Sequence, residues 1–121
     1  MKTVYLNLTI NDILIGQQPS GDRSIPRVNV FKEPYSLPEG QEFLIDDNGI
    51  DCIDLTSSGT YNYTFNLNSY ERCGVDIISF LANNVNITTD LPIDENLNGT
   101  VIKRQISIID AGSYNINIDI K

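Results

Sequence analysis

The chain has 121 residues, with 16 acidic against 8 basic side chains for a formal net charge of −8, and it contains no His and no Trp. That balance excludes a grip on nucleic acid or anionic membrane through a basic face, and the missing His removes the commonest general base, zinc ligand and pH switch together. At 40% hydrophobic residues the chain is expected to fold as one domain over residues 1–121, burying roughly two thirds of its unfolded surface.

Period-2 alternation dominates. Val4, Leu6, Leu8 and Ile10 alternate with Thr3, Tyr5, Asn7 and Thr9, the pattern of a strand with one wet face. Asn11-Asp12 interrupts it, and Ile13-Leu14-Ile15 can continue it past a bulge. Residues 16–26 (GQQPSGDRSIP) read as a loop, residues 27–32 as a short strand and residues 33–40 as a Pro-punctuated loop. Residues 43–47 and 50–55 flank Asn48-Gly49, the preferred pair for a two-residue hairpin turn; that register sets Ile45 opposite Cys52 and Asp46 opposite Asp51.

Tyr61, Tyr63, Phe65 and Leu67 then alternate with Asn62, Thr64 and Asn66. Asn68 with Glu71 has the spacing of a helical capping box, and Tyr70, Cys73, Ile77 and Leu81 fit a helical stripe. Gly74 and the run Val75-Asp76-Ile77-Ile78 oppose a helix, so the expectation is a strand over residues 75–82 after one helical turn. Asn83-Asn84 would turn a hairpin into residues 85–88, residues 90–98 read as a loop, and two strands over 100–109 and 113–120 close the chain. About nine strands predict an all-β fold, an antiparallel β-sandwich of 8–10 strands.

No apolar run matches a secretory h-region or a membrane span, so the product is expected in the cytoplasm or in an assembled virion. Cys52 and Cys73 lack metal-ligand spacing and are expected as reduced packing residues. Four N-x-S/T sequons, at Asn7, Asn62, Asn86 and Asn98, are read as a product of Asn-rich composition.

GTYNYTFNL (59–67) matches GSYNINIDI (112–120) in character throughout. Duplication would require the two segments to superpose together with their flanking strands. Asp110-Ala111-Gly112-Ser113-Tyr114 resembles the D-x-G-x-Y corner of immunoglobulin-like sandwiches, and Gly59-Thr60-Tyr61 is similar to the G-x-Y strand opening of bacterial and phage immunoglobulin-like modules. The resemblance implies an immunoglobulin-like or jelly-roll-like sandwich in which the Tyr114 hydroxyl bonds back to upstream backbone. The paired cysteines and core Trp of antibody-type domains are missing.

Candidate sites are few. Asp46, Asp47, Asp51 and Asp54 cluster around the Asn48-Gly49 turn, where opposed carboxylates are unfavourable and Ca²⁺ would offset them; the alternative is a solvated acidic tip. Tyr61 and Tyr63 can form a sugar-stacking platform but alternate as core-facing residues do, leaving Tyr5, Tyr35 and Tyr70 for exposed contact. Arg23, Arg27, Lys32 and Tyr35 are candidates for docking an acidic partner. No nucleophile–His pair or Gly-rich phosphate loop occurs, so no enzyme and no cofactor is expected.

A free-standing all-β module rich in Ile and Asn resembles the small accessory proteins of tailed phages. The leading expectation is a non-enzymatic structural or interaction protein: a capsid decoration, head-fibre or tail component docking to other virion subunits or to its own copies. Residues 16–26, 33–40 and 90–98 would be its docking loops. The alternatives are a carbohydrate-binding or adhesive module and an acidic nucleic-acid-mimic inhibitor.

Overall fold

The alternation becomes nine strands in a computed structural model that describes residues 1–11, 26–34, 49–55, 58–80 and 85–120. They are β1 (Lys2–Asn11), β2 (Arg27–Pro34), β3 (Gly49–Asp54), β4 (Gly59–Leu67), β5 (Glu71–Phe80), β6 (Val85–Thr88), β7 (Asp94–Asn98), β8 (Val101–Ile108) and β9 (Gly112–Ile120). No helix occurs among the described residues. One sheet has the order β4-β1-β9-β6 and the other β3-β2-β5-β8-β7, which makes an all-β sandwich. Every pairing is antiparallel except β1 with β9, which run parallel in the middle of the four-stranded sheet.

The core follows from the period. Val4, Leu6, Leu8 and Ile10 of β1, Phe65 and Leu67 of β4, and Ile116 and Ile118 of β9 supply one inner face. Val28, Val30, Ile53, Cys73, Val75, Ile77, Ile106 and Ile108 supply the other. A one-residue register slip would turn these side chains to water, so burial itself pins the pairing.

Four local expectations need correction. First, the strand expected at residue 75 begins at Glu71. The Asn68/Glu71 spacing serves a turn between sheets: the Asn68 N–H donates to Glu71 Oε1 at 2.8 Å and the Glu71 N–H to the Asn68 carbonyl at 3.1 Å. Capping and corner turns satisfy the same orphan backbone groups, so one spacing fits both. Second, β5 and β6 belong to different sheets and form no hairpin. Third, residues 94–98 are strand β7, paired to β8 across Gly99-Thr100 with Gly99 at φ +64°. Asn98-Gly99 is a second Asn-Gly signal, hidden because β7 has no apolar alternation. Fourth, Glu33 and Pro34 extend β2 instead of opening a loop. Of the hairpin expected around Asn48-Gly49, residues 50–54 lie in β3, which pairs with β2. Its first arm lies outside the described residues, as do the expected strand continuation over residues 13–15 and residues 16–25 and 35–40 of the expected loops.

β4 and β9 flank β1 on its two sides, antiparallel and parallel respectively. With both strands pointing up and their inner faces toward the viewer, the antiparallel neighbour of β4 (β1) and that of β9 (β6) lie on opposite sides. The two segments therefore do not superpose together with their antiparallel neighbours, which is what duplication requires. A shared local demand explains the likeness: each Tyr ring lies back over the glycine two residues before it. A Cβ on Gly59 would stand 3.5 Å from the Tyr61 ring and one on Gly112 3.3 Å from the Tyr114 ring.

Candidate functional site

The described members of the acidic cluster do not converge. Asp51 pairs in register with buried Val30 and Asp54 with exposed Arg27, which puts them on opposite faces of β3. Asp51 is engaged structurally: its Oδ2 accepts the Tyr63 hydroxyl at 2.7 Å and its Oδ1 the Cys52 N–H at 2.9 Å. Among the described residues β4 and β3 are the outermost strands of their sheets on this side, and the Tyr63 bond ties one to the other. Burial first, and then the bond to Asp51, holds the Tyr63 phenol above its ordinary range. Asp46 and Asp47 lie outside the described residues, and among those described no group of three or more His, Cys, Asp or Glu converges as a metal site.

The basic docking group is divided as well. Arg27 is exposed on the outer face of β2, while Lys32 is aligned with inward Cys73 and lies 3.6 Å from Glu71. Arg23 and Tyr35 lie outside the described residues. Tyr61 and Tyr63 pack against the core, as their alternation indicates, and Tyr63 stacks on Phe65 with centroids 6.2 Å apart. Both cysteines are free thiols; Cys73 is a buried core residue, but Cys52 is exposed on the outer face of β3 and packs no core. At the final corner the Tyr114 hydroxyl donates to the Asp110 carbonyl at 2.9 Å, the bond that the D-x-G-x-Y motif implies.

On the outer face of the five-stranded sheet, Phe31 is 5% exposed yet stands apart from the core cluster. It lies over Gly74, whose missing side chain leaves it room, and the Arg72 guanidinium sits 5.2 Å above its ring. Arg72 is held in turn by Glu33, by Ser107 at 2.8 Å and by Gln105 at 3.4 Å. A shallow groove of about 400 Å³ beside this stack is lined by Phe31, Ile50, Cys52 and Asp76 among others.

Two surfaces remain. At the flank opposite the Tyr63–Asp51 tie, β6 and β7 are the edge strands among the described residues. All of residues 92–100 are exposed, including Ile93 and Leu97, the latter at 59%. A cleft of about 320 Å³ there is lined by Val85, Asn86, Ile87, Ile93, Glu95 and Arg104. Arg104 is fixed between Glu95 at 3.0 Å and buried Ser79 at 3.2 Å.

The second surface is the outer face of the four-stranded sheet. Among the described residues, register and alternation place fifteen side chains on it: seven Asn, five Thr, and one each of Ser, Tyr and Asp. Tyr5, 52% exposed, stands on β1 between Thr64 and Ser113 of the adjoining strands. Next along the sheet Asn62, Asn7 and Asn115 form one row, with Asn7 Nδ2 donating to Asn115 Oδ1 at 3.2 Å. The alternation indicated a wet face of Asn and Thr, but not which strands adjoin, so these rows were not visible in the sequence. No protein-family model, curated protein or solved structure matches the chain.

Proposed function

We propose that this chain is a non-enzymatic interaction protein, an accessory component of a phage virion built on an immunoglobulin-like sandwich. It docks to a neighbouring subunit through the β6/β7 flank. The observation that carries the reading is the contrast between the two flanks. One is bridged by Tyr63 and Asp51, while the other leaves β7 exposed at every residue beside a cleft that Val85, Ile87 and Ile93 share with Asn86, Glu95 and Arg104. Exposed strand edges are templates for pairing, and proteins that remain alone usually cover or shorten them. Here Ile93 and Leu97 add apolar area to the free edge, a combination suited to strand addition by a partner. The Tyr114 corner supports the immunoglobulin-like assignment.

Mass spectrometry of purified particles produced by the encoding genome tests this. The chain is expected in the particles at a fixed copy number, and the exposed-residue variant Leu97→Asp is expected to be lost from them while remaining folded. Absence of the wild-type chain from particles overturns the virion assignment. Undiminished incorporation of Leu97→Asp overturns docking through β7.

A further inference from the structure

We infer that the outer face of the four-stranded sheet is a binding platform for a neutral glycan, with Tyr5 as its stacking residue. The argument starts from charge. The chain carries 24 charged side chains, yet among the fifteen on this face only Asp119, toward one edge, is charged. A face without cations has nothing with which to hold phosphate, sulfate or an anionic membrane, and one nearly without anions does not recruit a basic protein. What it offers is amides and hydroxyls, each able to donate and to accept. A polyol presents the same mixture, which makes a neutral sugar the complementary ligand.

The face is also ill suited to a protein partner. The centres of protein interfaces are rich in aromatics, Met and Arg around a desolvated apolar patch. Among the described residues this surface has one aromatic residue, no aliphatic residue and no Arg. A second copy stacked here would bury Asn and Thr against Asn and Thr and displace well-bound water for little apolar gain.

Tyr5 completes the platform. Its register neighbours Thr64 and Ser113 are small, which leaves the ring open to a sugar's C–H face. Thr3, two residues along the same strand, donates to Asn66 Oδ1 at 3.1 Å, and Asn7, two residues the other way, donates to Asn115. These bonds orient the amides while leaving each with further donors or acceptors for a ligand, so less ordering is required on binding. The platform is separate from the β7 flank and does not rest on the virion reading.

Calorimetry on the intact protein with cellohexaose, maltohexaose, chitohexaose and mannohexaose, and with a heparin hexasaccharide as the charged comparison, tests the inference. Binding to at least one neutral hexasaccharide is expected, insensitive to salt and weakened about tenfold or more by Tyr5→Ala. Asn62→Asp, an exposed change that adds charge to the row, is expected to weaken it too, and Leu97→Asp to leave it unchanged. No binding of any neutral hexasaccharide at millimolar concentration overturns the inference, as does preference for heparin or an affinity indifferent to Tyr5→Ala. Loss of Tyr5→Ala from particles without any glycan binding also overturns it, by making the face a protein-docking surface. Because Leu97→Asp addresses β7 alone, failure of either proposal is distinguishable from failure of the other.

Discussion

At the scale of single residues, the two thiols show how position overrides type. Cys52 stands on the outer face of β3, open to solvent, while burial pushes the Cys73 thiol from 9.0 up to about 12, opposed only by the nearby Lys32 charge. A thiol reagent is therefore expected to titrate one cysteine in the native protein and the second only on unfolding, counted with Ellman's reagent. The same shift makes stability depend on alkali. Between pH 9 and about 12 the unfolded chain loses the Cys73 proton while the folded one keeps it, so this contribution is complete below pH 9 and falls as pH rises. Tyr63, also raised, adds a second fall above pH 10. Urea unfolding from pH 8 to 11 is expected to show a declining midpoint, with a shallower decline in Cys73→Ala; a flat profile would contradict the assignment.

At the scale of elements, β5 is built around an absence. A Cβ on Gly74 would fall 1.9 Å from the Ile106 carbonyl oxygen and 3.2 Å from the Phe31 ring, at φ +154°. In the sequence Gly74 counts against a helix, which is correct, but its purpose is not readable there. It lets β8 approach closely and lets Phe31, with Arg72 above it, cover the sheet from outside. Gly74→Ala is expected to destabilise the fold by about 3 kcal/mol in denaturant unfolding, since neither backbone nor ring can retreat cheaply. β7 illustrates the opposite limit. With all five residues exposed it carries no hydrophobic period, and only its pairing with β8 defines it as a strand.

At the scale of the whole molecule, the parallel β1–β9 pair is the feature with most consequence. It joins the two ends of the described chain, Val4 with Gly112 and Asn11 with Asp119, at the centre of one sheet. Such contacts require closing nearly the full chain before they stabilise anything. Folding is therefore expected to take on the order of milliseconds to seconds in stopped-flow refolding, the range of sandwiches dominated by non-local pairing. A submillisecond main phase would mean that local contacts suffice.

The sequence by itself determined the fold class, most strand positions and the inner faces, because alternation is a local property that burial on one side of a sheet imposes at every second residue. It also determined the Tyr114 corner, whose hydroxyl reaches only four residues back. Tertiary structure alone decided which strands adjoin, since a strand's pattern names its buried face and not its neighbour. That decision separated Asp51 from Asp54 and Arg27 from Lys32, gave two like segments antiparallel neighbours on opposite sides, and turned residues 94–98 from loop into edge. It also assembled the scattered Asn and Thr residues into one uncharged surface around Tyr5. Period is written in neighbouring residues; surfaces are made by residues a hundred positions apart.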